Sequence, residues 1–221
     1  MLADLFLTAT AAGAFYGLDT LLTAANIEGV YYILHAIHNA LIVATTTPEV
    51  ITTLTAFSTI AAYTTNMVAV DLCAALHFYH IAKYWRKFRA DDWLHHGLMI
   101  GLALPIGVLI EGHTLLGFSL FFTTGLPGCI DYVCLALVRN GKLERLAEKR
   151  VNKHLNVWIR SPGCVAQAVL TIAFLCESPL TGWKFAAALI PAALNYWNGQ
   201  YFMSQVIRDL TIQEVPNNRV V

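Results

Sequence analysis

The chain has 221 residues, of which 57% are hydrophobic and 13% are charged, and its formal net charge is zero. Soluble domains normally carry about 25% charged residues, so this composition excludes an ordinary soluble fold. The balanced charge also argues against a nucleic-acid partner. Apolar runs long enough to cross a bilayer recur along the chain, which predicts one integral membrane domain over residues 1–221 with no separate soluble part.

The first half of the chain predicts three membrane spans. They cover residues 3–24, 29–47 and 66–85. Pro48 predicts the end of the second span, because proline cannot donate the backbone hydrogen bond that a helix interior needs. The threonine-rich stretch 49–64 is too short for a confident span and reads as a re-entrant or interfacial segment.

The second half predicts four further spans at residues 93–110, 114–138, 163–177 and 183–207. Between them, residues 141–159 alternate apolar and charged side chains at helical spacing, which indicates an amphipathic helix on the membrane surface. The last residues, 208–221, read as a polar tail. The prediction is therefore an all-α helix bundle of about six to eight spans.

Two local patterns predict details of these spans. Gly13-x-x-x-Gly17 and Gly97-x-x-x-Gly101 each place two small residues on one helix face, which favours close helix packing. Pro105 predicts a kink, and a break is expected at residues 125–128. Ser161, Pro162 and Gly163 together predict the end of the amphipathic helix.

Positive charge predicts how the spans are oriented. All but one of the 14 Lys and Arg residues lie in the turn 83–89, in or beside the segment 140–160, or after the last span. Two spans separate each of these places from the next, so all three fall on one face. By the positive-inside rule this face lies in the cytosol, or in the matrix or stroma of an organelle. The sequence therefore predicts an endomembrane or an organellar inner membrane.

Polar side chains lie at a common depth below this basic face, at about 1.5 Å per helical residue. Since ionisable groups in a membrane normally face a bundle interior or a water-filled cavity, they predict a cavity open to the basic face. The candidate ligand-binding residues in it are His35, His38, His77, His80 and Asn198. The candidates for attracting an anionic head group or CoA phosphates are Arg86, Lys87 and Arg89. Paired histidines can hold a metal ion, but at most six are grouped here and no His-x-x-His-His occurs, so acid–base chemistry is the preferred interpretation.

One motif resembles a known family. An aromatic-rich span that ends in basic residues is followed by Asp92-Trp-Leu-His95-His96, and Asp131 comes later. This arrangement resembles the TLC domain, shared by ceramide synthases, the translocon-associated TRAM protein and other lipid-handling membrane proteins. The resemblance covers roughly residues 29–207. It differs at Ile130, where ceramide synthases have a histidine, and at Cys134, where they have a second aspartate.

The resemblance implies about six core helices around a lipid-accessible cavity. It also implies catalytic roles for His95 or His96 as the base and for Asp131 as the residue that orients it, in acyl transfer from acyl-CoA. No cofactor is expected beyond a bound lipid or acyl-CoA, and membrane lipids are the expected partners. The alternative is a non-catalytic accessory subunit of a larger membrane complex in an energy-converting organelle, which would have other membrane-protein subunits as partners.

Overall fold

The computed structural model describes residues 2–63, 65–109 and 113–215, and among these residues about 90% are helical and none forms a strand. The long helices, numbered here in chain order, are α1 (Leu2–Ala24), α2 (Val30–Thr55), α3 (Met67–Tyr84), α4 (Ala90–Leu109), α5 (113–139), α6 (Arg145–Glu177) and α7 (Gly182–Glu214). Short 3₁₀ turns follow α2 at Phe57–Ala62 and α3 at Trp85–Lys87.

Four of these helices, α1, α4, α5 and α6, are long and apolar enough to cross a membrane. Large apolar side chains also point outward from the bundle, among them Leu109 at 81% exposure and Trp183 at 76%. A soluble monomer rarely exposes so much contiguous apolar surface. The chain is therefore an all-α protein with the features of a membrane protein, as the composition predicted.

The long helices alternate in direction, so their connections gather at two ends. At one end, Arg139 after α5 pairs with Glu28 before α2, with 3.0 Å between Nε and Oε2. At the same end, Arg150 near the start of α6 pairs with Glu214 at the end of α7, at 2.9 Å. The turn between α3 and α4 also lies here, and we call this the basic end. The turn 83–89, the start of α6 and the end of α7 thus share one end of the bundle, as predicted, and Arg219 lies outside the described residues.

Six of the helices form a ring by pairwise contacts. α2 packs against α3 and α5, α5 packs against α6, α6 packs against α7, and α7 packs against α4. The ring closes between α3 and α4, where the ring of His77 lies 5.4 Å from that of His95 and 5.1 Å from that of His96. α1 packs against α3 and, to a lesser extent, against α2.

A buried aspartate fastens α1 to α3. Asp19 is 1% exposed, and its carboxylate accepts hydrogen bonds from the hydroxyls of Tyr79, Tyr84 (2.5 Å) and Thr23 (3.1 Å). The ammonium of Lys83 lies 3.1 Å from Asp19 Oδ1. A buried carboxylate is tolerated only when such donors compensate for its lost hydration, so this network holds α1 in place near the basic end.

The predicted helix boundaries at prolines are not found. α2 continues through Pro48 to Thr55, so residues 49–55 belong to it and only the 3₁₀ turn remains of the predicted re-entrant piece. The amphipathic segment 141–159 does not end at Ser161–Gly163 either. Its residues 145–159 form the first half of α6, which runs on to Glu177.

These helices pass their prolines by widening for one turn. Five-residue π-helical stretches lie at Met99–Ala103 in α4, Phe121–Gly125 in α5 and Asn156–Arg160 in α6, and each is followed two residues later by a proline. Proline lacks the N–H and its ring clashes with the carbonyl of residue i−4. A π turn shifts the bonding to i→i−5, which lets the helix continue.

The carbonyl left without a helical partner by Pro127 finds a donor on the next helix. Pro127 cannot donate to the carbonyl of Thr123, and Nη2 of Arg160 donates to that carbonyl at 2.6 Å instead. The π stretch of α5 is therefore tied to the π stretch of α6, in which Arg160 lies. This bond is part of what joins the two helices at mid-length.

Glycine packing occurs at positions other than the two predicted motifs. A Cβ placed on Gly13, Gly17, Gly97 or Gly101 would meet nothing within 4 Å, so the predicted close packing at both motifs is wrong. A Cβ on Gly117 of α5, in contrast, would lie 1.7 Å from Oε2 of the buried Glu49 on α2. Close approach is therefore needed where a polar side chain lies between two helices.

Candidate functional site

Histidines from three helices meet near the basic end. Their ring centroids form a chain of contacts, with His35 of α2 4.5 Å from His80, His80 5.7 Å from His96, and His96 5.1 Å from His77. His95 completes the group at 5.4 Å from His77. These five residues are called the histidine cluster below. They came from separate apolar stretches of the sequence, and the fold brings all five together.

Helical spacing explains how each helix presents its histidines. His77 and His80 are three residues apart, so they share one face of α3. His95 and His96 are adjacent and point about 100° apart on α4. As a result His96 is buried, with 6% exposed, while His95 is exposed. The cluster therefore runs from a buried centre on α3 to an exposed edge on α4.

Backbone carbonyls fix the protonation of two of these rings. Nδ1 of His35 lies 2.6 Å from the carbonyl oxygen of Tyr31, and Nδ1 of His77 lies 2.7 Å from that of Cys73. A carbonyl only accepts, so Nδ1 carries the proton and donates in both residues. In the neutral ring this leaves Nε2 with a free lone pair, the form in which histidine acts as a base.

Two ring nitrogens in the centre of the cluster are buried without a hydrogen-bond partner among the described residues. They are Nε2 of His80 and Nδ1 of His96. Leaving a buried polar group unpaired costs about 1–3 kcal/mol. Such groups in native proteins call for an explanation, and these two atoms are the ring nitrogens of the cluster that remain available for a further hydrogen bond.

Aromatic side chains enclose the cluster. The ring of Tyr31 stacks on His80 at 5.4 Å and lies 4.0 Å from His35, and the ring of Tyr132 lies 4.4 Å from His35. Phe88 stacks on His96 at 4.7 Å. The sequence analysis did not select Tyr31 or Tyr132. The spacing of Tyr31 to His35 (i, i+4) was a signal that both lie on one helix face.

His38 lies apart from the cluster although it was predicted to belong with His35. Its Nδ1 is 2.9 Å from Oδ1 of Asn39, and its Nε2 is 3.2 Å from the carbonyl oxygen of Leu72 on α3. Both ring nitrogens are thus occupied by protein groups, and the side chain is 1% exposed. In this arrangement His38 joins α2 to α3.

Asp131 is separated from the histidines that it was expected to orient. Its carboxyl group lies close to the buried Glu148 and to Arg160, at the contact between α5 and α6. In the described part of the chain no hydrogen bond joins it to His95 or His96, and its Oδ1 is buried without a partner. Tyr132, the next residue, occupies the helix face toward His35.

The other predicted residues take up positions around this region. Asn198 on α7 has a buried Oδ1 without a hydrogen-bond partner among the described residues. Arg86, Lys87 and Arg89 are exposed in the turn at the basic end, where lipid head groups or a soluble anion would reach them. Asp92 accepts a hydrogen bond from the backbone N–H of Arg89 at 2.9 Å, which caps α4.

The described residues contain no group of three or more His, Cys, Asp or Glu side chains arranged to hold a metal ion. The reason is visible in the histidine cluster. Its rings stack or meet edge to face, as His35 and His80 do with 26° between their planes. Metal ligands instead direct several nitrogen lone pairs toward one point.

No protein-family model, curated protein or solved structure matches this chain. The fold and the site define an all-α membrane protein with a buried histidine cluster near its basic end. Its function has to be argued from that cluster.

Proposed function

We propose that the chain is a lipid-handling membrane protein of the TLC type, in which the histidine cluster binds the polar end of a lipid or acyl substrate. The observation that carries the proposal is the pair of buried, unpartnered nitrogens, Nε2 of His80 and Nδ1 of His96. A bound head group, ester or thioester would supply the missing hydrogen bonds. The ring of six helices with an additional α1 fits the six core spans of such a fold.

The position of the cluster suits a substrate that lies in the membrane. His95 is exposed beside buried His96, so the cluster reaches the surface between α3 and α4. The exposed cations Arg86, Lys87 and Arg89 lie in the turn that joins these two helices, where they attract a phosphate-bearing head group or CoA. A substrate with an acyl chain in the bilayer can therefore place its polar end at the histidines.

Acyl transfer is the reaction that these groups support best. Nε2 of His77 carries a free lone pair because its Nδ1–H donates to the Cys73 carbonyl. A base at this point takes the proton from an attacking hydroxyl or amine while the new ester or amide bond forms. The C–S bond of the thioester breaks, and the thiolate takes up that proton. Asp131 takes no part in this step in the arrangement seen. The ring that contacts His96 is that of His77.

Lipid retention tests the binding step. The full chain and a His80→Gln/His96→Gln variant are purified in mild detergent, and the bound lipids are extracted and measured by mass spectrometry. The control is His154→Gln, since His154 is exposed on α6 and is not in the cluster. The wild type and the control should retain the same lipid, and the double variant should lose it by a factor of about 10 or more, corresponding to at least 1.4 kcal/mol.

Equal lipid content in a folded double variant would contradict the proposal. Copurification of stoichiometric membrane-protein partners without bound lipid would favour the accessory-subunit alternative. If acyl transfer is detected, His77→Gln should lower its rate by a factor of about 10²–10⁴, the usual contribution of a positioned base. An unchanged rate in that variant would remove His77 from the reaction.

A further inference from the structure

A second polar site lies at the basic end, between α2, α5 and α6. It is a pocket of about 310 Å³ lined by Tyr32, Leu135, Val138, Arg139, Arg145, Glu148 and Lys149. We call it the basic pocket. Tyr32 separates it from the histidine cluster, since the Tyr32 ring contacts Tyr132 at 6.3 Å and Tyr132 contacts His35. None of its lining residues belongs to the cluster.

Three cations line the pocket, and Arg139 is the one with a close partner among the described residues, Glu28. The side chain of Lys149 is only 16% exposed, yet its ammonium lies 3.9 Å from Glu148 Oε2 and 3.8 Å from Asp209 Oδ2. Both separations exceed hydrogen-bonding distance. Arg145 is exposed at the first turn of α6, where the helix dipole adds positive potential. Lys149 and Arg145 therefore have N–H donors available for an anion.

One buried carboxyl group lines the same pocket. Glu148 is 1% exposed, and its Oε1 has no hydrogen-bond partner among the described residues. The carboxyl group of Asp131 lies near enough to that of Glu148 for the two to share a hydrogen bond when one of them is protonated. A simple anion would be repelled by this pair, whereas a ligand that carries an N–H donor next to its anionic group would satisfy both Glu148 and Lys149.

We propose that the basic pocket binds the head group of an aminophospholipid, a lipid with a primary amine beside its phosphate. The phosphate contacts Arg139, Arg145 and Lys149, and the ammonium donates a hydrogen bond to Glu148. The apolar side chains of Leu135 and Val138 form one wall, and exposed Leu137 on the same helix continues the apolar surface for the acyl chains. The site lies at the end of the bundle, at the level where head groups are found.

Native mass spectrometry of the full chain in detergent tests this assignment with three lipids of matched dioleoyl chains, phosphatidylethanolamine, phosphatidylcholine and phosphatidylglycerol. Choline has no N–H, so it cannot donate to Glu148. A hydrogen bond to a charged group contributes about 1.5–3 kcal/mol, so phosphatidylethanolamine should bind about 10- to 100-fold more tightly than phosphatidylcholine. Equal affinities, or a preference for phosphatidylglycerol, would overturn the proposal.

Single substitutions test which side chains contact the lipid head group. Glu148→Gln should abolish the preference for ethanolamine over choline, and Arg145→Gln should weaken the binding of both lipids. Because Arg145 is exposed, its replacement leaves the fold intact and keeps the test decisive if Glu148→Gln does not fold. Arg150→Gln is the matched control, since Arg150 pairs with Glu214 outside the pocket. Unchanged affinities in Arg145→Gln would overturn the proposal.

Competition with a soluble head group distinguishes a lipid ligand from a free metabolite that carries the same polar groups. Glycerophosphoethanolamine carries the same phosphate and amine without acyl chains. It should compete with phosphatidylethanolamine only weakly, because the wall of Leu135 and Val138 then has no partner. Competition at equal concentrations would overturn the lipid as the ligand. The result is independent of the histidine cluster, because a His80→Gln/His96→Gln variant should keep the preference for ethanolamine.

Discussion

The buried carboxylate of Asp19 should be among the most sensitive positions for stability. It accepts hydrogen bonds from Tyr79, Tyr84 and Thr23 and pairs with Lys83 at 3.1 Å, and both Asp19 and Tyr79 are only 1% exposed. Removing one partner of a buried ion pair costs about 3–5 kcal/mol, because the remaining charge stays buried and unpaired. We therefore expect Asp19→Ala to lower the free energy of unfolding by about 3–5 kcal/mol.

A more conservative substitution measures the contribution of one hydrogen bond in this network to stability. Tyr79→Phe removes a single hydroxyl donor to a charged acceptor and should cost about 1.5–3 kcal/mol. The assay is equilibrium unfolding of the purified chain in mixed detergent micelles, followed by circular dichroism. Asp91→Asn serves as a control, since Asp91 is exposed at the start of α4 and surface substitutions usually change stability by less than about 0.5 kcal/mol.

A double-mutant cycle can refute the reasoning behind these numbers. If Tyr79 acts through Asp19, combining Tyr79→Phe with Asp19→Ala should add little to the loss from Asp19→Ala alone, which corresponds to a coupling of about 0.5–3 kcal/mol. Strictly additive losses would show that the two side chains stabilise the protein independently. A loss below about 1 kcal/mol for Asp19→Ala would show that the network does not fasten α1 to α3.

Two further predictions follow from packing and topology. Gly117→Ala should lower the free energy of unfolding by about 1–3 kcal/mol, because its Cβ would lie 1.7 Å from Oε2 of buried Glu49. Gly13→Ala, with nothing within 4 Å of its Cβ, should raise the free energy of unfolding by about 0.5–1 kcal/mol. Unfolding in micelles measures both, and equal effects would contradict the packing. A cysteine at exposed Lys87 should react with a membrane-impermeant maleimide from the side opposite to a cysteine at exposed Thr181, and labelling of both from one side would contradict the arrangement of the ends.

The sequence was sufficient to locate most of the long helices and to group their connections at one end of the bundle. Apolar length found the long helices, and the distribution of Lys and Arg placed the turn at Arg86 and the ends of α5 and α7 together. These features depend on composition and local spacing, which can be read without knowing how the helices rotate.

The spacing of residues in the sequence could not predict how each helix is rotated about its own axis. His35 and His38 were both predicted to line the cavity, yet His35 meets His80 while the His38 ring is held by the carbonyl of Leu72. Asp131 was chosen by resemblance, yet its neighbour Tyr132 contacts the cluster. A shift of one residue turns a side chain by about 100°, so a motif identifies the stretch more securely than the residue.

The three π-helical stretches, Met99–Ala103, Phe121–Gly125 and Asn156–Arg160, have a consequence for how this protein would diverge. Each holds one residue more than a regular α-helix needs to join the same two ends. Deleting that residue would restore α-helical bonding while both halves of the helix kept their inward faces. A relative could therefore share this bundle with α4, α5 and α6 each shorter by one residue. A sequence alignment without gaps would then pair equivalent positions in only one half of each helix.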